Sequence, residues 1–240
     1  MNQKNFLIIS HKGAGNYAPA NTLKAIQKAI DLKADFVEID VHKTKDQQIV
    51  LIHDAKLKNS SGKYEFVKEM TLEQIKKFDV EEGEKIPTLE EVISISKNKI
   101  NLQVEIKAEG LTDNLVKLLR SEDLIKSSII SSFSLVELIK LKRIAPNLKI
   151  GYLLPAEMKR IQLIKRNTIK AFNNDFYAIH PHFSIINKEI LDYSKDYNLA
   201  VYAWTVNDAY IMKNLIRLGV NGIITDEIDL LKKCLNEIAL

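Results

Sequence analysis

Short apolar runs alternate with amphipathic stretches along nearly the whole chain. "FLIIS" (6–10), "FVEIDV" (36–41), "IVLIH" (49–53), "NLQVEIK" (101–107), "SIISSF" (128–133), "KIGYLL" (149–154), "YAIHP" (177–181), "AVYAWTV" (200–206) and "GIITD" (222–226) are rich in Ile, Val and Leu, and short enough to be buried strands. Between most of them, apolar residues recur at three- and four-residue spacing. In "NTLKAIQKAIDLKA" these are Leu23, Ile26 and Ile30, with Asn21 or Thr22 placed to cap the start of a helix. "TLEQ" at 71 and "TLEE" at 88 read as capping boxes, in which a Thr and an acid or amide three residues on satisfy free backbone N–H groups. "NDAYIMKNLIRLG" closes on Gly219, a C-terminal cap.

Strands alternating with helices predict a largely parallel sheet covered by helices. "IVLIH" follows "FVEIDV" too closely for a crossover helix, and "KTKDQQ" reads as a turn, so this run is expected as an extra hairpin strand. Eight others remain, the number needed for a closed TIM-type (β/α)8 barrel. A doubly wound open sheet is the alternative, but it normally carries fewer strands, and "HKGAG" matches neither phosphate-loop spacing. Residues 54–87 hold polar stretches and one short helix but no barrel strand. They are expected as an insertion over the barrel mouth, within a single barrel domain spanning 1–240.

Composition narrows the function classes. Apolar residues make up 46% of the 240 positions, enough for a sizeable core, and 35 basic residues face 31 acidic ones. That excess is too small and too dispersed for a nucleic-acid surface. The lone Cys234 cannot form an internal disulfide and is expected to pack in the core. The first residues, "MNQKNFLIIS", carry an apolar run too short for a signal peptide, and no segment approaches a membrane span, which points to a cytoplasmic protein.

In such barrels the chemistry collects where strands end, on the C-terminal face. The runs above bring His11, Glu38 with Asp40, His53, Glu105 with Lys107, Trp204 and Asp226 to that region. Side chains alternate along a strand, so Glu38 and Asp40 share a face roughly 7 Å apart, and Val37, Ile39 and Val41 take the other. Two such carboxylates repel unless a positive charge lies between them. All-oxygen ligation by Glu38, Asp40 and Glu105 favours one hard divalent cation, Mg²⁺ or Ca²⁺, over zinc. His11 and His53 can divide general-base and general-acid roles, and a lysine adds positive charge. The set suits a phosphodiester, whose transition state gathers negative charge on oxygen. Plainer roles are expected elsewhere: Asp226 in "TDEIDLL" as a cap for the last helix, His42 as peripheral, and His180 and His182 as structural, with His180 able to face the mouth.

"HKGAGNYAPANTLKAI", "VEIDVHKTKDQQIVLIHDAKL", "VEIK", "SSF", "WTVND" and "GVNGIITD" occur in an order that resembles the glycerophosphodiester phosphodiesterase family, from residue 11 to residue 226. The resemblance implies a TIM barrel that hydrolyses small-molecule glycerophosphodiesters to glycerol 3-phosphate and an alcohol, using a divalent metal. It matches Glu38, Asp40 and Glu105 to the metal ligands, His11 and His53 to the catalytic pair, and Lys107 to a lysine near the phosphate. Phe133 and Trp204 fall where the substrate pocket would be lined. Three positions depart from the pattern: Lys12 replaces an arginine, Ala20 the acid of "P-E-N-T", and Asn59 an arginine after "HD". Lys12 keeps the charge but loses the planar fork that grips phosphate at two points, and Lys12 and Ala20 are expected to compensate each other. Competing readings are a degenerate barrel that binds metal or phosphodiester without turnover, and a phospholipase or lyase, whose apolar rim would rest on Phe66 and Met70. A nuclease would need a basic groove with aromatic platforms. The residues do not distinguish which histidine is base and which acid, nor set the headgroup or the oligomeric state.

Overall fold

In the computed structural model, which describes residues 6–59 and 61–239, eight parallel strands close into a barrel. They are β1 (Leu7–Ser10), β2 (Phe36–Lys43), β6 (Asn101–Ile106), β7 (Ile129–Ser132), β8 (Lys149–Leu154), β9 (Ala178–Pro181), β10 (Ala200–Ala203) and β11 (Gly222–Thr225). Closure is made by β1, which pairs with β11 through Leu7 to Ser10 and with β2 through Ile9 and Ser10. The short β3 (Ile49–Leu51) runs antiparallel to the end of β2, as the close spacing of the two runs predicted. Helices α1 (Leu23–Asp31), α3 (Leu89–Ser96), α4 (Thr112–Ser121), α5 (Leu135–Ile144), α6 (Ile161–Asn173), α7 (Lys188–Asp196), α8 (Ala209–Leu218) and α9 (Ile228–Ala239) cover the outside. No helix among the described residues is long and apolar enough to cross a membrane.

The alternation along each strand divides the interior into two layers. Val37, Ile39, Val41, Val104 and Ile130 point outward and pack under the helices. Ile9, Phe36, Ile129, Ala178, Tyr202 and Ile224 point inward and fill the barrel. Because β2 is covered on both faces, its residues are buried from Phe36 to His42, which explains why it reads as a near-continuous apolar run. Helix starts follow the expected chemistry: the Thr22 side chain accepts from Ala25 N–H, and Thr71 and Thr88 form full capping boxes with Gln74 and Glu91. Gly219 ends α8 in a left-handed conformation at φ 102°, where a side chain would be strained. Cys234 is buried, as expected.

Residues 54–87 contain more regular structure than the polar sequence suggests. A hairpin forms from β4 (Lys56–Lys58) and β5 (Tyr64–Phe66), followed by one turn of 3-10 helix and the four-residue α2 (Leu72–Ile75). Val67, Met70, Ile75 and Ile86 pack on Val50 of β3 in a small satellite core. Met70 is therefore a packing residue rather than part of an apolar rim. Asn59 also has a local job. Its side-chain oxygen accepts from Ser61 N–H and Lys63 N–H, and its amide donates to Glu65, so it shapes the hairpin turn and does not reach towards the barrel mouth.

Candidate metal and catalytic site

Strand register assembles the acidic centre. β2 and β6 are neighbours, with Glu38 opposite Gln103 and Asp40 opposite Glu105. Period-two spacing puts Glu38 and Asp40 on the inner face, and the register adds Glu105 beside them. One oxygen from each of the three carboxylates lies within 4.8 Å of the others. Contrary to the sequence reading, Glu38 and Asp40 do not end their strand. β2 runs on to Lys43 because β3 pairs with Val41, His42 and Lys43 and prolongs it beyond the barrel rim.

Each acid is held by a different device. Glu38 Oε2 accepts the backbone N–H of Lys12 at 2.8 Å. The neighbouring Gly13 donates to the Glu38 carbonyl at 3.0 Å and sits at φ +88°, where an added Cβ would come within 2.6 Å of Ala25. Glycine is thus required for the loop after β1 to bend onto β2. Asp40 is clasped by Asn21, whose amide donates to Oδ2 at 2.9 Å while its oxygen accepts the Asp40 N–H at 3.1 Å. Lys107 Nζ lies 2.8 Å from Glu105 and 3.5 Å from Asp40.

The charge at this centre does not balance. Lys107 pairs with two of the three buried or nearly buried carboxylates, Asp40 and Glu105, and Glu38 forms no ion pair among the described residues. Burial first, then the nearby charges of Asp40 and Glu105, push the Glu38 carboxyl well above its ordinary range. Burial also raises Glu105, against the pull of Lys107. For Lys107, the attraction of Glu105 and Asp40 outweighs burial and holds the proton more tightly than usual. One buried oxygen, Glu38 Oε1, has no hydrogen-bond partner. Buried polar atoms are nearly always satisfied, so this orphan within a ring of acids fits a cation ligand.

Two imidazoles flank the acids, each anchored by a carboxylate at Nδ1. His11 follows β1 and donates from Nδ1 to Asp226 Oδ1 at 2.8 Å, and Asp226 Oδ2 accepts from the Asn207 amide at 2.7 Å. Burial works against the Asp226 charge, but the His11 and Asn207 contacts outweigh it and leave the carboxyl below its usual range. His53 donates from Nδ1 to the adjacent Asp54 at 2.7 Å, and that bond lowers Asp54. With Nδ1 so engaged, Nε2 of each ring is the nitrogen left for proton transfer. His42 is not merely peripheral: it is buried, and its Nε2 donates to the His53 carbonyl at 3.2 Å.

The remaining candidates lie around this centre. Lys12, Ala20 and His53 line one cavity of about 360 Å³. Glu105, Lys107 and Phe133 line a neighbouring one of about 250 Å³. Phe133 and Trp204 pack edge to face at 5.5 Å, and the Trp204 indole donates to the His180 carbonyl at 2.6 Å. His180 itself does not face the mouth. It is fully buried inside the barrel, with Gln103 3.4 Å from Nδ1, in a space that an added Cβ on Gly151 would overlap. A larger cavity of about 840 Å³ opens at the opposite end, near Lys149, Tyr177, Ala200 and Asn221, and holds none of the candidate side chains.

Asp226 is the main residue misread from sequence. It was expected as a helix cap, yet both its carboxylate oxygens are engaged by His11 and Asn207. Asn21, one of two candidates for the α1 cap, instead clasps Asp40 while Thr22 makes the cap, and Asp54 and Asn207 carry site roles that the motifs "HD" and "WTVND" contain but do not reveal.

Fold and site together define a (β/α)8 barrel with a carboxylate centre on its inner wall and two carboxylate-anchored histidines beside it. The sequence model of the glycerophosphoryl diester phosphodiesterase family matches residues 11–230, and the chain belongs to that family. It is 35% identical to a glycerophosphodiester phosphodiesterase of Caldanaerobacter subterraneus subsp. tengcongensis, over 92% of this chain and 94% of that one. It is 30% identical to a glycerophosphodiester phosphodiesterase of Bacillus subtilis, over 95% of this chain and 85% of that one. Among solved structures, an Oleispira antarctica phosphodiesterase in complex with the product sn-glycerol-3-phosphate superposes with a TM-score of 0.85 at 25% identity, covering 96% of each chain.

Proposed function

We propose that the protein hydrolyses glycerophosphodiesters to glycerol 3-phosphate and an alcohol, with His11 and His53 as the acid–base pair. Glu38, Asp40 and Glu105 would hold one divalent cation, Mg²⁺ or Ca²⁺, which supplies Lewis-acid stabilisation of charge on a phosphate oxygen. The observation that carries this reading is the uncompensated carboxylate trio, with a buried orphan oxygen on Glu38 and two anchored imidazoles beside it. The family and the named relatives supply the substrate class.

The chain's own groups divide the work. Lys12 and Lys107 neutralise the phosphate and hold it in place. One imidazole takes a proton from the attacking water, whose oxygen forms the new bond to phosphorus. The other gives a proton to the departing alkoxide as the phosphorus–oxygen bond breaks. Such help is typically worth about 10² to 10⁴ in rate per group. Asp226 and Asp54 fix the orientation of each ring through Nδ1 and leave Nε2 free to face the substrate. Phe133 and Trp204 form an aromatic wall for the substrate, and residues 54–87 act as an insertion over the mouth.

The test is turnover of a panel of glycerophosphodiesters after chelation, and again after adding back Mg²⁺ or Ca²⁺, with cation binding followed by calorimetry. Activity should vanish on chelation and return with a hard divalent ion. Turnover undiminished by chelation rejects the cation. Tight cation binding without turnover of any glycerophosphodiester rejects the hydrolase in favour of a binding protein.

A further inference from the structure

The cavity beside His53 and Lys12 extends away from the carboxylates towards the β4–β5 hairpin, where Lys56, Lys58 and Tyr64 form its outer wall. Its volume of about 360 Å³ equals roughly a dozen water molecules at about 30 Å³ each, room for a small polar headgroup. A phosphodiester held at the acidic centre has two arms, glycerol and the leaving alcohol, and this cavity, reached past His53, has room for one of them.

The charges lining the cavity are unequal in a telling way. Two acids reach it, and both are already engaged: Asp54 accepts from His53, and Asp79 is paired with Lys85. Lys56 and Lys58 form no ion pair among the described residues, whereas Lys12, on the inner side of the cavity, is the lysine assigned to the phosphate. Ala20 stands on the same wall and adds no acid. Lys56 Nζ lies over the ring of its cross-strand partner Phe66 at 4.5 Å, which holds its ammonium at the hairpin.

Resting on the hydrolase reading above, we infer that this cavity receives the leaving alcohol and that its unpaired lysines select alcohols carrying a negative charge, such as a second phosphate, over those carrying an ammonium. Lys58 of β4 lies on the same hairpin face as Tyr64, its cross-strand partner, so a charge change there alters the wall without touching the acidic centre.

The experiment compares kcat/KM for three substrates: glycerophosphocholine with a cationic leaving alcohol, glycerophosphoglycerol with a neutral one, and bis(glycerophospho)glycerol with an anionic one. The anionic substrate should be preferred over the cationic one by about tenfold at low salt, and the preference should shrink as ionic strength rises, because partly exposed charges are screened. Lys58→Glu should narrow or reverse that ratio. A wild-type preference for the choline ester, or a ratio insensitive to salt, overturns the inference even if Lys58→Glu fails to fold. An unchanged ratio in a folded Lys58→Glu overturns it too. Absence of turnover on all three substrates instead rejects the hydrolase reading on which it stands.

Discussion

Two walls of the same barrel answer the cost of burying ionisable side chains in opposite ways. On the β2–β6 wall, Glu38, Asp40 and Glu105 crowd around one lysine, and Glu38 keeps an oxygen with no partner. On the β8–β9 side, His180 is just as deeply enclosed, but burial lowers its pKa to about 3, and it simply stays neutral beside Gly151. Burying an unpaired charge costs several kcal/mol, and losing the charge is the usual escape. A histidine can do so by remaining unprotonated at neutral pH. For three clustered carboxylates, two of which burial already pushes upward, a cation from outside is a second remedy, and the group could hold one. The contrast separates a buried group that is finished by folding from a cluster that folding leaves incomplete.

The comparison can be broken most forcefully at the histidines beside the acidic wall. His11→Ala should lower kcat by about 10² to 10⁴-fold without changing the thermal melt. Asp226→Asn should cost at least about 10²-fold, since Nδ1 would lose its charged acceptor. Steady-state kinetics check both. If Asp226→Asn keeps turnover within about threefold of wild type, the anchoring role assigned to it is wrong. Asp54→Asn should have a smaller effect, because that side chain is 78% exposed and its pairing is screened.

On the neutral wall, Gly151→Ala should destabilise the fold by about 1–3 kcal/mol, because the new methyl collides with the His180 ring. Denaturant unfolding gives the value. Combining Gly151→Ala with His180→Ala should cost less than the sum of the two single changes. Strict additivity would show that the two residues do not share one space.

His180 also supplies a pH signature. Its folded pKa lies below the ordinary value of 6.5, so the unfolded chain binds a proton that the folded one refuses. Stability is therefore unaffected above about pH 6.5 and falls as pH drops towards 3. The loss is about 1.4 kcal/mol per pH unit, or about 2 kcal/mol by pH 5. His180→Leu should flatten this part of the stability profile, measured by urea unfolding between pH 7 and pH 5. An unaltered slope would assign it to other groups.

These walls were unequally legible in the sequence. The acids of β2 and β6 announce themselves, because period-two spacing inside β-branched runs leaves no other face for Glu38, Asp40 and Glu105. The same alternation turns His180 inward, but its depth depends on how the strands are staggered around the barrel, which a linear pattern does not carry. Asp226 looked like a cap because "TDEIDLL" is a sound helix start, whereas its bond to His11 spans 215 positions and exists only once β1 pairs with β11. The β4–β5 hairpin escaped notice because its strands are three residues long and expose Lys56, Lys58, Tyr64 and Phe66, so no buried alternation marks them.

The smallest expected effect tests the contrast most directly. Glu38→Gln keeps an acceptor for the Lys12 N–H but removes one of the three crowded charges. In the cation-free protein that change relieves repulsion, so the melting temperature should rise by roughly 2–4 °C, the shift made by about 1 kcal/mol in a chain of this size. With Mg²⁺ or Ca²⁺ added, the order should invert: wild type gains stability by mass action, and the variant gains little because its site has lost a ligand charge. Differential scanning calorimetry with and without the ion reads both limbs. A variant less stable than wild type without the ion would mean that the acidic wall is already satisfied by its own hydrogen bonds, and the two walls would then differ in degree only.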